Sequence, residues 1–444
     1  MRRSVLFLLL VSLALPAQAQ DDARPKNLIL MIADGFGPAS ATLARGVADR
    51  PLALDGILTG SISTAATDSR VTDSAAAGTA FACGIKSYNR AIAVDTLGRP
   101  CTTLFDAAEA RGMATGLVST SRITHATPAS FAAHVPQRSQ ELDIAAQLVA
   151  SGVEVLFGGG LRMFVPEEDG GDRDDSRDLR TELQHQGHAL ALDRNGFDAL
   201  RATPASALLA DDHMAYEVDR DPAQQPSLAE MTTKALALLS QSTEGQREGF
   251  LLMIEGARID HAAHGNDLAG HVHDILAYDA AVQGALDFAE ANGQTLVVSV
   301  ADHETGGMTL GRDGVYAWDP AVLRTARASR EAMRARISAG DDVLAVVREG
   351  TAVDSLNADE AAALRAAHAA GDSPALDRAI SAVLSARAGI GWTTTGHTAV
   401  DITLYAFGPD GGRLRGHLPN DAVGRILFDL MGFAWAEPGA SEDG

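Results

Sequence analysis

Apolar runs and amphipathic stretches alternate along most of this chain. Residues 27–33 are almost continuously apolar, as in a strand buried on both faces, and residues 250–254 repeat that pattern. Residues 295–301 form a third run, rich in valine, and residues 269–290 have the pattern of a long helix. The alternation predicts an α/β fold with a large, mostly parallel central sheet and helices on both faces.

Weaker patterns fill the space between these elements. They predict strands at residues 61–66, 114–119, 153–157 and 401–407, and helices at residues 103–111, 140–150, 228–239 and 423–431. Two segments break the alternation. Residues 166–178 are dense in Asp, Glu and Gly, which is typical of a solvated loop. Residues 313–387, rich in Ala, Arg and Glu, predict several helices that form an insertion between two sheet elements.

Length and charge limit the kind of protein this is. The chain has 444 residues, 46% of them hydrophobic, and we expect residues 20–444 to form a single catalytic domain. Its formal net charge of −22 argues against nucleic acid and anionic membranes as partners. A phosphorylated substrate is not excluded, because bound metal ions can supply local positive charge.

The first 19 residues have the features of a signal peptide. Arg2 and Arg3 precede an apolar stretch at residues 5–15, and Ala17-Gln18-Ala19 is a small-residue cleavage site. We therefore expect a periplasmic or secreted protein with no membrane span after cleavage; the export route stays open. Cys83 and Cys101 are the only cysteines, and the sequence leaves open whether they form a disulfide or two thiols.

Acids and histidines follow several of the apolar runs. Asp34 ends the first run and Glu255 ends another, while Asp260 and His264 have the i, i+4 spacing of one helix face. Each could be ordinary, since Asp34 can cap a helix and histidines are common on surfaces. Together with Asp302-His303 they predict a metal site, because buried acids are unfavourable without a cation and zinc prefers such ligands.

A serine stands at the predicted start of a helix. Asp73-Ser74 precedes an alanine-rich run, which most simply indicates a helix cap, although a serine at that position also feels the positive end of the helix dipole. That setting favours an alkoxide and binds phosphate. Thr127, Arg138 and His397 lie near other strand ends, but each is a weak signal by itself.

These motifs resemble those of the alkaline phosphatase family, in sequence and in order. They are Asp34-Gly35, Asp73-Ser74-Ala75, Thr124-His125-Ala126-Thr127-Pro128-Ala129, Ile254-Glu255-Gly256 through His264, Ala301-Asp302-His303-Glu304-Thr305, and Thr395-Gly396-His397-Thr398. The resemblance extends from residue 27 to about residue 408, and residues 313–387 match poorly.

The resemblance implies a role for each residue. Ser74 would be the nucleophile and Arg138 would bind phosphate oxygens. Two Zn²⁺ and one Mg²⁺ would be held, the first zinc by Asp260, His264 and His397, the second by Asp34, Asp302 and His303, and the magnesium by Asp34, Thr127 and Glu255. Asp73, His125 and His261 would support these groups without being ligands. Some family members have Asp and Lys where this chain has His125 and His261, which leaves the third metal and the pH optimum open.

The implied reaction is hydrolysis of phosphate monoesters through a phosphoserine, with a broad range of small substrates and release of inorganic phosphate. Zinc lowers the pKa of a bound oxygen, and arginine is a natural bidentate partner of phosphate. A phosphodiesterase of the same superfamily is the enzymatic alternative, and a secreted metal- or phosphate-binding protein is the alternative of another class. The family is typically dimeric, so a homodimer is an expectation from the resemblance alone.

Overall fold

The computed structural model describes residues 24–437. The predicted signal peptide, residues 1–19, lies outside this range. The strands are β1 (Asn27–Ala33), β2 (Leu58–Ser63), β3 (Ala114–Arg122), β4 (Val155–Gly159), β5 (Ala189–Ala191), β6 (Ala205–Leu208), β7 (Phe250–Gly256), β8 (Thr295–Val300), β9 (Glu304–Thr305), β10 (Met308–Leu310), β11 (Ile390–Trp392), β12 (His397–Thr398), β13 (Ile402–Phe407) and β14 (Gly416–Pro419).

Helices connect most of these strands. They are α1 (Pro38–Val47), α2 (Ser74–Cys83), α3 (Leu104–Ala110), α4 (Ala126–Ala132), α5 (Glu141–Ala150), α6 (Leu179–His185), α7 (Arg194–Ala199), α8 (Leu228–Gln241), α9 (Thr243–Glu248), α10 (Arg258–His264), α11 (Leu268–Asn292), α12 (Ala321–Arg324), α13 (Arg330–Ser338), α14 (Val343–Thr351), α15 (Ala358–Ala370), α16 (Ser373–Ala388) and α17 (Asn420–Leu430). Short 3₁₀ helices span Ala53–Ile57, Leu161–Phe164, Glu167–Asp169 and Gly411–Arg413.

Ten strands form one central sheet in the order β14-β2-β13-β8-β1-β7-β3-β4-β6-β5. Neighbouring strands run parallel except β13, which is antiparallel to both β2 and β8. The sequence therefore predicted the mostly parallel α/β sheet correctly. Its apolar runs could not reveal the reversed direction of β13, because strand direction depends on how the chain returns to the sheet.

The four central strands, β8-β1-β7-β3, bring the chemistry together. All four are parallel, so their carboxyl ends meet at one edge of the sheet. Asp34 follows β1, Glu255 lies near the end of β7, and Asp302 follows β8. Ligands of open α/β sheets bind at this edge, and here the strand order places the acids side by side.

Most predicted elements match the structure within a few residues. The bounds differ for the strand expected at residues 61–66, which instead spans Leu58–Ser63. The predicted insertion contains five helices, α12 to α16, and α13 to α16 share a small apolar core of their own that includes Met333, Leu364 and Ile380. These helices lie next to the edge of the sheet that carries the acids, because Ser381 on α16 donates to the Gly265 carbonyl (2.8 Å).

Two further observations concern the cysteines and the length of the helices. Cys83 and Cys101, left open by the sequence, are joined by a disulfide that links the end of α2 to the segment before α3. Among residues 24–437, no helix combines the length and the apolar character that crossing a membrane requires.

Candidate active site

Three side chains meet at the outer end of the site. His264 Nε2 lies 3.2 Å from Asp260 Oδ2 and 3.1 Å from His397 Nε2. The i, i+4 spacing on α10 places Asp260 and His264 on one face, as the sequence predicted, and β12 brings His397 from more than a hundred residues away. The Thr395 carbonyl is 2.5 Å from His264 Nδ1, which fixes the ring with Nε2 facing the group.

A second group lies deeper, below Ser74. Asp34, Asp302 and His303 are all fully buried, and His303 Nε2 is 3.2 Å from Asp302 Oδ2 and 3.6 Å from Asp34 Oδ1. One ligand atom from each of the three lies within 4.8 Å of the others. His303 also belongs to a set with Asp260 and His397, so the two groups adjoin each other.

A third group extends from Asp34 toward β3. Asp34, Glu255 and His125 each offer a ligand atom within 4.8 Å of the other two. The Thr127 hydroxyl, on α4, lies beside Glu255, and it is buried without a hydrogen-bond partner among the described residues. Ser119 donates to Glu255 Oε2 at 2.5 Å, which leaves Glu255 Oε1 free to face the group.

The carboxylates of these groups are electrostatically unsatisfied. Burial raises the pKa of Asp34 well above its usual value, and the Asp302, Asp260 and Glu255 carboxylates raise it further. Burial also raises the pKa of Glu255 to about 7 and that of Asp302 to about 6. Both Asp34 oxygens lack a hydrogen-bond donor within the described chain.

The histidine beside Asp260 behaves differently. Burial is the largest single effect and disfavours the charged forms of both residues, but their mutual hydrogen bond and the attraction between their charges together outweigh it. The pair holds the pKa of Asp260 well below its usual value and raises the pKa of His264 to about 9. Asp260 therefore remains a carboxylate, as a metal ligand must.

Ser74 begins α2 directly above the second group. It is 2% exposed, and its Oγ lies 3.3 Å from His303 Nε2. Asp73 is the N-cap of α2 and accepts from the Ala76 N–H at 3.0 Å, so the sequence signal for a helix start is confirmed. The serine nevertheless faces a cluster of acids and histidines as well.

Arg138 is held in place by two neighbours. It donates to Asp73 Oδ2 at 3.1 Å and to His125 Nε2 at 2.9 Å. Because His125 Nε2 accepts this bond, the neutral imidazole carries its proton on Nδ1, which is buried and has no acceptor in the described chain. In this tautomer His125 is a donor toward the third group rather than a ligand.

The sequence analysis missed one histidine. His213 lies in the loop after β6, and its ring centroid is 4.4 Å from that of His261 and 5.6 Å from that of His125. Burial and the neighbouring His261 lower the pKa of His213 to about 2, so the cluster stays uncharged. Its segment contains no motif or periodic pattern, and only tertiary contact reveals it.

A cationic network surrounds this histidine cluster. Arg122 Nη1 is 3.0 Å from His213 Nε2 and is paired with Glu141, while Arg258 Nη1 is 3.1 Å from His261 Nδ1. Burial is the main cause that lowers the pKa of His261 to about 3, and the positive charge of Arg258 adds to it. The side of the site around Arg138 is thus rich in hydrogen-bond donors, whereas the side around Asp34 is rich in hydrogen-bond acceptors.

Two smaller features also escaped sequence analysis. Thr305 donates to Asp260 Oδ1 at 2.6 Å and so orients that carboxylate. Gly35 has φ +72, and a Cβ there would lie 2.8 Å from the Asp260 backbone. Only glycine allows the turn after β1 to bring Asp34 and Asp260 this close.

The residues present fit divalent cations. Buried carboxylates without partners are strongly unfavourable unless protons or cations compensate them, and Asp34, Glu255 and Asp302 all have oxygens without a donor. Carboxylates with imidazoles suit zinc, whereas a carboxylate and hydroxyl group suits magnesium. A serine at a helix start and an arginine complete a site of the class that transfers phosphoryl groups with metal ions.

Comparisons with known proteins agree with this class. A family model for alkaline phosphatase matches residues 25–433. The repressible alkaline phosphatase of Saccharomyces cerevisiae is 38% identical, with 96% of this chain and 85% of that protein covered. The crystal structure of a cold-active alkaline phosphatase from Shewanella sp. is 33% identical, covers 91% of this chain and 99% of its own, and superposes with a TM-score of 0.83.

A third relative carries a metal. A variant of the alkaline phosphatase from the Antarctic bacterium TAB5 has Mg bound in its M3 site; it is 27% identical, covers 93% of this chain and 99% of its own, and has a TM-score of 0.68. The chain belongs to the alkaline phosphatase family. It is a metal-dependent enzyme that hydrolyses phosphate monoesters.

Proposed function

We propose that Ser74 is the nucleophile of this hydrolysis and that Arg138 binds the phosphoryl oxygens. The observation that carries the proposal is the position of Ser74, buried at the start of α2 with its Oγ 3.3 Å from His303 and its cap residue paired with Arg138. The α2 N-terminus adds a positive dipole beside the phosphoryl group. Arginine matches the geometry of two phosphate oxygens.

We further propose which residues hold the metals. Asp260, His264 and His397 would hold one Zn²⁺; Asp34, Asp302 and His303 a second; and Asp34, Thr127 and Glu255 an Mg²⁺. The orphaned oxygens of Asp34, Glu255 and Thr127 support this assignment, and the Mg bound by a TAB5 variant in which a histidine is replaced by glutamate supports magnesium as the third cation. Cations bound there would lower the pKa of the Ser74 hydroxyl and offset negative charge on the phosphoryl group. The cation held by Asp260, His264 and His397, here called the Asp260 group, would offset the charge on the leaving oxygen.

The chain's own residues then account for two displacements. Ser74 Oγ loses its proton and attacks phosphorus, the bond to the leaving oxygen breaks, and that oxygen takes up a proton. Water next breaks the bond between phosphorus and Ser74 Oγ, which regains a proton as inorganic phosphate leaves. Asp73 and His125 hold Arg138 against the phosphoryl oxygens throughout.

The test compares a monoester with a diester. Mature protein is stripped with chelator and assayed on 4-nitrophenyl phosphate and bis(4-nitrophenyl) phosphate at alkaline pH, with zinc, magnesium, both or neither. We expect monoester hydrolysis to return with zinc and to rise with magnesium. A preference for the diester would instead favour a phosphodiesterase and remove Glu255 and Thr127 from the metal ligands, and zinc binding without turnover of either ester would favour a binding protein.

We also propose that the protein is exported, with residues 1–19 removed and residues 20–444 forming one catalytic domain with the insertion at about 313–387. The Cys83–Cys101 disulfide supports an oxidising compartment. The net charge of −22 supports small phosphomonoesters over nucleic acid as partners, and a homodimer is proposed from the family. Intact mass of the exported protein tests cleavage after Ala19, and light scattering tests the dimer.

A further inference from the structure

A cavity of about 540 Å³ lies between the metal-binding groups and the helical insertion. His264 and Thr395 line it on the side of the site, and Asp377 and Arg378 of α16 line it on the side of the insertion. His264 is therefore both a member of the Asp260 group and part of the cavity wall. A molecule held at that group has this cavity as adjacent space.

The cavity wall is rich in arginine. Arg312, Arg330 and Arg378 all line it, and the charged side chains that oppose them are Asp313 and Asp377. Arg312 donates to Asp313 at 2.7 Å, and Arg330 lies 3.8 Å from Asp377. Arg378 is exposed, and within residues 24–437 it has no ion pair or side-chain hydrogen bond. Apart from His264, the charged side chains of the wall thus leave one positive charge uncompensated.

Arg330 brings part of the positive charge of the cavity wall close to His264. A Cβ added to Gly265 would lie 2.7 Å from the Arg330 guanidinium carbon, so that guanidinium packs against the residue next to His264. Ile390 and Trp392 provide an apolar part of the wall. The cavity accordingly offers cationic side chains together with an apolar surface that can accommodate a carbon skeleton.

We propose that this cavity is a subsite for the leaving group and that it favours leaving groups carrying a second phosphate, which Arg378 and Arg330 bind. The proposal rests on the proposed function, in which the Asp260 group faces the leaving oxygen. A leaving group that extends from this oxygen past His264 enters the cavity. A dianionic phosphate there meets the unpaired guanidinium of Arg378, which suits it geometrically and electrostatically.

The test uses substrates that differ by one phosphate. The monophosphates and bisphosphates of straight α,ω-alkanediols, with three to six carbons, are compared by kcat/KM, and the bisphosphate value is halved for its two equivalent ends. We expect the wild-type protein to prefer a bisphosphate. In Arg378→Ala we expect that preference to fall about threefold to tenfold, as for loss of a charge-assisted contact at a solvent-accessible site.

Two further variants of Arg378 and one control sharpen the result. Arg378→Lys is expected to keep part of the preference, and Arg378→Glu to reduce it more than alanine does. The matched control is Arg365→Ala, an exposed arginine on α15 of the same insertion that does not line the cavity. The preference should also weaken with added salt, because the contact is solvent-accessible.

The outcomes separate this proposal from the proposed function. An unchanged preference in both Arg378→Ala and Arg378→Glu, or an equal decrease in Arg365→Ala, would overturn the subsite while monoester hydrolysis remains. If the metal-loaded wild-type protein hydrolyses neither 4-nitrophenyl phosphate nor any alkanediol phosphate, the proposed function fails and the subsite fails with it. Since Arg378 is exposed, the fold should survive each substitution, which thermal unfolding verifies.

Discussion

Two helices of this protein begin with the same two residues. Asp73-Ser74 starts α2 and Asp372-Ser373 starts α16, and in each the aspartate is the N-cap. The Asp73 carboxylate accepts from the Ala76 N–H at 3.0 Å, and the Asp372 carboxylate accepts from the Ala375 N–H at 2.9 Å. By their capping hydrogen bonds alone, the two helix starts are alike.

Their surroundings differ completely. Ser74 is buried beside His303, and its cap residue Asp73 is paired with Arg138. Asp372 and Ser373 are both exposed on the helical insertion. With Ser74 as the proposed nucleophile, the comparison indicates that a helix start is not sufficient for this role and that the acids, imidazoles and arginine at the sheet edge are needed as well.

The largest difference is expected from removing each serine. Ser74→Ala should lower kcat/KM for 4-nitrophenyl phosphate by at least about 10³-fold, because it removes the proposed nucleophile. Ser373→Ala should stay within about twofold of wild type, as exposed substitutions away from a site usually do. Zinc content measured by mass spectrometry should be unchanged in both. Comparable losses in the two variants would contradict the assignment of Ser74.

The next largest effect is expected at Arg138, which the second helix start lacks. Arg138→Ala should lower kcat/KM by about 10²-fold, the effect of losing one donor that stabilises transition-state charge. Inhibition by inorganic phosphate should weaken in the same variant. Arg138→Lys keeps the charge but loses the bidentate geometry and should recover only part of the activity. Full activity in Arg138→Ala would exclude a phosphate contact.

A smaller effect is expected when each cap loses its charge. Asparagine caps helices as well as aspartate does, so Asp73→Asn and Asp372→Asn should both keep their helices. Asp73→Asn also removes the ion pair that positions Arg138, and we expect kcat/KM to fall about tenfold, as for loss of a supporting contact. Asp372→Asn should have no effect on kinetics. If Asp73→Asn matched Asp372→Asn, Arg138 would not depend on Asp73.

The last prediction concerns the pH dependence of stability. It tests the effect of burial on a carboxyl pKa at a residue that lies away from the features around Ser74. Asp274 on α11 is buried, does not contact either helix start, and accepts from the Glu217 N–H at 3.1 Å. Burial raises its pKa from 3.8 to about 8. The folded state therefore holds this proton more tightly than the unfolded state, so the contribution to stability is complete below pH 4 and is lost as pH rises through 8.

Asp274→Asn keeps the acceptor and removes the titration. Relative to wild type, its free energy of unfolding should increase from pH 5 to pH 9 by more than about 1.4 kcal/mol, the equivalent of one pKa unit. Denaturant unfolding at both pH values measures this difference, with the exposed Asp372→Asn as control. A difference that does not change with pH would show that burial alone does not raise the pKa of a carboxyl in this protein.

Much of the fold could be predicted because its signals are local. The apolar runs at β1, β7 and β8 identify buried strands whatever their neighbours are, and the Asp73-Ser74 pair identifies a helix start. The meeting of the acids after those strands could be predicted as well, since parallel strands bring their carboxyl ends to one edge of the sheet. The reversed direction of β13 and the true bounds of β2 depend on pairing with distant strands, and so they could not.

The sequence by itself therefore determined the α/β architecture, the start of α2, and the set of acids and histidines that follow the central strands. Only the tertiary structure decided that His213 joins His125 and His261, and that α16 closes a cavity beside His264. The physical reason is the distance along the chain over which each interaction acts. Periodicity and capping act over a few residues, whereas the burial and electrostatic pairing of a site depend on segments that the sheet order brings together from across the chain.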